Sequence, residues 1–510
     1  MHRVLKLLVG ACALAQAGSA SAQWYEAISK HFHIYADESA DDLGKYANRL
    51  ERFDAAVREA RGMPDVDAGN ATQVSVFVVR DIAAIGRIFN GDPRSGVAGF
   101  YEPRATGSVA FVPRRGEVGK FELGADNVFF HEYTHHLMLQ VDDNPLPTWI
   151  VEGFAEFFAT PVFNDDGSVT IGSPPRYRAE ALYTLWGLPL DKMLSGDYKY
   201  LTAAEFESIY GRGWLLTHFL SFDLKRHGQI SRYIDEIEAG RSPLKSAQDS
   251  FGDLKQLDRD LNAYFKKDVF SVATIPASKL HIPQIDVRPL SPAMAELMDD
   301  KIKFARAGKR MLAGSTAGHA RAVTRKYPQD ARAATFLAQA EFAAENWGDA
   351  SAAADVALRL DPKSDEAMIV KGTALAKLAA TNPATANWDA IRSYFANANR
   401  IDTENAEPLV EYYRTYVEQG IAPTPNAIQG LEYALALAPQ DSKLRLEVVG
   451  QFLKTGRLDK ARVAIVPLAY SPHAGKAHDA VRKILDEIDA RRSADALTAW
   501  QTAEKLYDDD

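Results

Sequence analysis

The chain has 510 residues, of which 46% are hydrophobic and 25% charged, so it is long enough to form two or three hydrophobic cores. Its net charge of −9, with no basic run to offset it, argues against nucleic acid as a partner. The single cysteine, Cys12, lies within the first 22 residues, so the rest of the chain offers no disulfide and no thiolate metal ligand.

Residues 1–22 have the pattern of a secretory signal peptide. Arg3 and Lys6 precede an apolar stretch, and Ala20-Ser21-Ala22 forms a cleavage site of the A-x-A type. Cleavage there leaves 57 basic and 68 acidic residues, a net charge of −11. No later run reaches about 18 apolar residues, so we expect an exported protein, periplasmic or secreted, without a transmembrane segment.

Strands and helices alternate after the signal, which predicts an α+β domain. Residues 31–36 and 72–79 are β-branched or aromatic with partial alternation, and we predict them to be strands separated by a helix from about 41 to 61. Residues 99–103 and 107–113 are predicted to form a β-hairpin.

The next stretch, HEYTHH at residues 131–136, has the pattern of a metal site on a helix. His131 and His135 are four residues apart, so a helix projects both imidazoles from one face toward one ion. Glu132 then lies beside the metal and can take a proton from a water molecule that the metal activates.

A third ligand must come from elsewhere, because a catalytic zinc ion is held by three side chains. We predict Glu152, which stands in the apolar run WIVEGFAEFFA, where a buried carboxylate without a partner would be costly. Glu156 follows one turn later on the same face. That position suits a carboxylate that accepts the free ring N–H of a ligating histidine.

These motifs resemble those of the gluzincins, the metallopeptidase clan that includes thermolysin, and in particular its peptidase MA-like members. HEYTH at 131–135 and WIVEGFAEF at 149–157 carry the resemblance, the second being close to the W-x-x-E-G-x-A pattern of the clan. The resemblance implies a thermolysin-like α+β metallopeptidase domain over residues 23–272, with Glu132 as general base. It implies Zn²⁺ as cofactor with the ligands His131, His135 and Glu152.

A third match is SIYGRGWLLTHFL at residues 208–220, which is similar to the helix that places a tyrosine over the scissile carbonyl in many of these enzymes. It implies Tyr210 as a hydrogen-bond donor to the oxyanion. In gluzincins an edge strand pairs with the substrate backbone, so residues 107–112 are either such a ledge or a plain sheet strand. The chain lacks the G-x-M-E-N motif of the aminopeptidase branch, which favours an endopeptidase.

Residues 273–293 contain four prolines and are predicted to be a linker. Beyond them the chain is alanine-rich, and Pro328 and Pro362 stand in similar contexts 34 residues apart, the spacing of a tetratricopeptide repeat. Residues 294–490 therefore resemble an all-α tetratricopeptide-type solenoid. We predict a C-terminal helix with an acidic tail over residues 491–510.

Taken together, the motifs predict an exported zinc metallopeptidase that acts on peptide or protein substrates. The helical repeats would bind a protein partner or the substrate, although they could instead brace the catalytic domain or dimerise. One alternative is a catalytically silent scaffold in which the repeats mediate protein–protein interaction. Another is an exported enzyme that uses the same metal site on a non-peptide bond.

Overall fold

The structure is a computed structural model that describes residues 23–65, 72–114, 122–141, 146–179, 188–196, 198, 201–307, 313–383, 386–469 and 477–509. A part that mixes strands and helices is followed by an all-helical part, as predicted. The predicted signal peptide and the final residue of the acidic tail lie outside the described residues. Within the described ranges, no helix is long and apolar enough to cross a membrane.

Two sheets organise the first part. The strands are β1 Tyr25–Ile28, β2 Phe32–Ala36, β3 Val74–Val79, β4 Phe100–Glu102, β5 Val109–Pro113, β6 Val162–Phe163, β7 Val169–Ile171, β8 Ala273–Ile275 and β9 Asp286–Pro289. Six of them form one mixed sheet in the order β4-β5-β3-β2-β1-β9, and the other three form a small sheet in the order β6-β7-β8. The pairs β2–β3 and β3–β5 are parallel, and the remaining pairs are antiparallel. The predicted strands and hairpin are confirmed, with ends that differ by up to two residues.

The first part also contains helices, some of which pack on these sheets and some of which pack against one another. They are α1 Ala40–Arg61, α2 Ile82–Asn90, α3 Ala125–Val141, α4 Thr148–Phe158, α5 Leu190–Ser195, α6 Ala203–Phe222, α7 Gln229–Glu238, α8 Pro243–Phe251 and α9 Leu254–Phe265. The predicted helix near 41–61 is confirmed as α1. Its first turn is capped by the Ser39 hydroxyl, and it ends at Gly62, whose φ of 64° favours glycine.

The large sheet is apolar on both faces, so its strands separate two hydrophobic cores. In β3, Val76 and Val78 point toward the core that α1 and α3 share. Phe77 and Val79 point the other way, into a core that also contains Leu297 and residues of the helical part. Because side chains alternate along a strand, one apolar segment serves both cores. The helical part therefore covers a face of the sheet that water would otherwise reach.

The proline-rich segment 273–293 does more than connect the two parts. It contains β8, which completes the small sheet, and β9, which pairs with β1 at the edge of the large sheet. The prolines do not prevent this, because edge strands tolerate residues that lack a backbone N–H.

The second part is built from consecutive helices that pack against their neighbours in the chain. They are α10 Pro292–Ala307, α11 Ala313–Lys326, α12 Ala331–Ala343, α13 Trp347–Leu360, α14 Asp365–Thr381, α15 Trp388–Ile401, α16 Glu407–Glu418, α17 Pro425–Leu437, α18 Ser442–Lys454, α19 Leu458–Ala469, α20 His478–Asp489 and α21 Ser493–Asp509. The starts of α12 and α14 lie 34 residues apart, and both are followed by a helix that begins with tryptophan. Gly372 lies where α14 meets α15, and a Cβ there would lie 2.6 Å from the ring of Phe395, so the ring would have to move.

The turn of the β4–β5 hairpin connects the two parts at a second place. The backbone N–H of Ala105 donates to the carboxylate of Asp441 over 2.6 Å, and the Gln440 amide donates to the carbonyl of Arg104 over 3.3 Å. Ala105 itself is buried in the core of the last six helices. On the other side of the turn, Arg306 of α10 binds Glu102 at 2.6 Å. The helical part thus holds the turn end of the hairpin at two points.

Candidate metal centre

Helix α3 carries HEYTHH with its apolar residues turned into the core. Phe130, Tyr133 and Leu137, spaced at three and four residues, are almost fully buried. The Tyr133 hydroxyl donates to Asp54 of α1 over 2.9 Å, which fixes the rotation of α3 about its axis. His131 and His135 consequently lie together on the face that meets α4, as the four-residue spacing predicts.

Helix α4 brings Glu152 to this pair. Its backbone crosses α6 at two glycines, and a Cβ on Gly153 would lie only 2.6 Å from the carbonyl oxygen of Gly213. This close approach places Tyr210, one turn before Gly213 on α6, beside the residues that α4 contributes. Glu152 is fully buried although it is a carboxylate, so the interior position has to be stabilised by positive charge or metal.

The predicted ligand atoms form a compact triangle. His131 Nε2 and His135 Nε2 are 3.1 Å apart, and Glu152 Oε2 lies 3.2 Å from the first and 3.5 Å from the second. A tetrahedral zinc ion with ligands at about 2.0–2.1 Å separates its ligand atoms by roughly 3.3 Å. The three residues therefore fit zinc in both spacing and ligand type.

Glu156 also lies where the sequence predicts. It is fully buried, and its Oε1 is 3.5 Å from Nδ1 of His131, the ring nitrogen that faces away from Glu152. The Tyr177 hydroxyl donates to Oε2 over 2.7 Å, and Nε of Arg178 donates to Oε1 over 2.8 Å. Both oxygens of Glu156 are thereby held in place.

Glu132 and Tyr210 flank the triangle. Glu132 is half-buried and follows directly after His131. The ring of Tyr210 lies 6.1 Å from the ring of His131. Burial raises the pKa of Tyr210 well above its usual value, and the charges of Glu152 and Glu132 add to the effect. The phenol therefore keeps its proton at neutral pH and can act as a donor.

The protein itself leaves the centre electrostatically negative. Burial lowers the pKa of His131, but the hydrogen bond to Glu152 and the charge of Glu156 outweigh it and raise the pKa to about 9. A positive charge at this point is therefore favoured, whether it is a proton or a metal ion.

Other histidines near the motifs have structural roles. His136 is buried, with Nδ1 2.8 Å from the Tyr101 hydroxyl and Nε2 2.9 Å from the carbonyl of Thr72, and burial lowers its pKa to about 4. His218 of α6 is buried as well, and burial lowers its pKa to about 4. It bonds the Tyr264 hydroxyl and the carbonyl of Ser271.

The predicted substrate ledge is not an edge of the sheet. Strand β5, which covers most of residues 107–112, pairs with β3 on one side and β4 on the other. Of the two interpretations of this segment, the pairing contradicts the substrate ledge and agrees with the plain sheet strand. The edge strand at this end of the sheet is β4.

A second buried cluster supports α3 from behind. His31 Nδ1 lies 2.7 Å from Glu51 and 3.5 Å from Asp54, and Asp54 also binds Arg58 and Tyr133. Burial lowers the pKa of His31, but the hydrogen bond to Glu51 and the charge of Asp54 outweigh it, and the pKa is raised. His31 Nε2 also lies 3.1 Å from Asp65, so the imidazole and the Arg58 guanidinium partner the carboxylates of this cluster within the protein.

Two residues of this centre were not predicted from the sequence, Tyr177 and Arg178. They lie in a short 3₁₀ turn, Arg176–Arg178, with no metal-site motif around them.

No protein-family model matches the chain, and no match is found among the curated proteins either.

Proposed function

We propose that the chain is a zinc-dependent peptidase of gluzincin type that cleaves internal peptide bonds. The observation that carries the proposal is the buried triangle of His131, His135 and Glu152, whose sides of 3.1, 3.2 and 3.5 Å suit one tetrahedral ion. Glu132 and Tyr210 stand beside it with the functional groups that peptide hydrolysis requires.

Zinc bound at this site would polarise a peptide carbonyl and lower the pKa of a water molecule. Glu132 takes the proton of that water and returns it to the leaving amine. The protonated hydroxyl of Tyr210 donates a hydrogen bond to the carbonyl oxygen as negative charge develops on it. Glu156 holds the His131 ring in the orientation that directs Nε2 toward the metal position between the three ligand atoms.

The proposal extends to the whole chain. The α+β part is proposed to be thermolysin-like, and the helical part to be a tetratricopeptide-type solenoid that recruits a peptide or protein. The 34-residue spacing of α12 and α14 supports this assignment of the repeats. The signal-like segment 1–22 supports export to the periplasm or the medium.

Metal binding is tested first, because it requires no substrate. The zinc content of the chain without residues 1–22 is measured beside Glu152→Ala and beside Glu341→Ala, a matched control for a buried glutamate in the helical part. We expect about one zinc per chain in the wild type and the control, and clearly less in Glu152→Ala. Equal zinc in all three proteins would refute Glu152 as a ligand.

Hydrolysis is tested with unfolded protein substrates such as casein. Glu132→Gln should retain its zinc and lose turnover by about 10²–10⁴-fold, the usual contribution of a general base. Normal turnover by this variant would exclude the proposed base. A zinc-loaded wild type that cleaves none of the substrates would favour the silent scaffold, in which the helical repeats are the functional part.

A further inference from the structure

Arg178 lies between the two helices that complete the centre. Its Nε and Nη2 lie 2.8 and 2.7 Å from Oε1 of Glu156 on α4, and its Nη1 lies 3.1 Å from Glu207 on α6. The guanidinium lies over the ring of Tyr210, with 4.6 Å from Cζ to the ring centre. Arg178 therefore contacts both Glu156, which lies behind the ligand His131, and Tyr210, the proposed donor to the oxyanion.

The contact with Glu156 bears directly on the metal triangle. Glu156 is fully buried and lies 3.5 Å from Nδ1 of His131, so a shift of its carboxylate changes the orientation of the ring. Tyr177 and Arg178 are its hydrogen-bond partners, and Arg178 is the one that carries charge. Groups that orient metal-bound histidines typically contribute 10- to 100-fold to metal affinity.

We propose that Arg178 is a positioning residue that fixes Glu156 behind His131 and holds the ring of Tyr210 at the centre. The inference rests on the metal site of the proposed function and deepens it. Arginine is suited to this task because its planar group offers several donors along its edge and an apolar face for stacking. Lysine would keep the charge but could neither make both contacts with Glu156 nor cover the ring.

Arg178→Lys separates geometry from charge. Loss of the charge in Arg178→Gln would remove a repulsion on a metal cation and obscure the effect, whereas lysine retains that charge. Arg226→Lys is the matched control, since Arg226 has similar exposure, binds Asp260 at 2.8 Å and stacks on Phe219 away from the centre.

Zinc affinity is measured by competition with a chromophoric chelator. We expect Arg178→Lys to raise the zinc dissociation constant by about 10- to 100-fold and Arg226→Lys to leave it unchanged. Glu156→Gln should weaken binding too, and adding Arg178→Lys to it should cause little further loss, because Arg178 acts through Glu156. Wild-type affinity in Arg178→Lys, or losses that multiply in the double variant, would overturn the inference. Melting of the zinc-free proteins checks that the variants are folded.

The contact with Tyr210 is tested by turnover at saturating zinc. We expect Arg178→Lys to lower kcat with little change in KM, and to have no further effect in a Tyr210→Phe background. An equal loss of kcat in both backgrounds would refute the role at Tyr210. Because the zinc experiment needs no substrate, it decides the role at Glu156 even if the proposed peptidase activity proves wrong.

Discussion

The crossing of α4 and α6 allows one sharp prediction, the effect of Gly153→Ala. The added Cβ would lie 2.6 Å from the carbonyl oxygen of Gly213 and would also meet the hydroxyl of Thr217. Ordinary contact begins at 3.4 Å, so the methyl group is too close by about 0.8 Å. The obstacle is backbone rather than a flexible side chain, and the two helices must therefore move apart.

The magnitude follows from two opposing effects. Overpacking of this kind costs about 1–3 kcal/mol, and the contact with rigid backbone puts Gly153→Ala at the upper end. Alanine gains about 1 kcal/mol over glycine in helix propensity, which leaves a net destabilisation of about 2 kcal/mol. For a domain of about 150–250 residues, a destabilisation of about 2 kcal/mol lowers Tm by about 4–8 °C. Separation of the helices should also weaken zinc binding, because Glu152 is the neighbouring residue.

Melting of the zinc-free proteins measures the effect, with Gly318→Ala as the control. Gly318 is an exposed residue inside α11, and a Cβ there would meet no atom within 4 Å. Propensity alone should make this control as stable as the wild type or more stable. If Gly153→Ala melted at or above the wild-type temperature, the close approach of α4 and α6 would not be the constraint described above.

Three more outcomes follow from the structure. Because the pKa of His31 is raised in the folded protein, its contribution to stability is full below about pH 6.5 and is lost as the pH rises through the folded-state pKa. His31→Gln should therefore lower Tm most at acidic pH, which melting across a pH series measures. Asp441→Ala should cost about 1–3 kcal/mol in denaturant unfolding, because it removes the acceptor for Ala105 and the cap of α18, whereas Asp441→Asn should keep the cap. A chain truncated after residue 290 should aggregate or bind a hydrophobic dye, since it exposes the sheet face that α10 covers; a soluble monomer without dye binding would contradict this.

The sequence alone predicted those features that depend on residues close together in the chain. The spacing of His131 and His135, the apolar run around Glu152 and the alternation in β3 all depend on residues close together in the chain, and helical or strand periodicity converts them into faces. The triangle follows once α3 and α4 meet, and Glu156 follows from being one turn after Glu152. The composition of the second part and its 34-residue spacing likewise predicted that it is helical.

Only the tertiary structure decided which distant residues meet. Arg178 lies in a short turn with no motif, and it reaches Glu156 and Tyr210 only because α4 and α6 cross nearby. The sequence predicts β5 as one arm of a hairpin, but its position inside the sheet depends on pairing with both β3 and β4. The same holds for the second face of the sheet, which is buried because helices far along the chain cover it. Such contacts are set by the packing of whole elements, which no short stretch of sequence encodes.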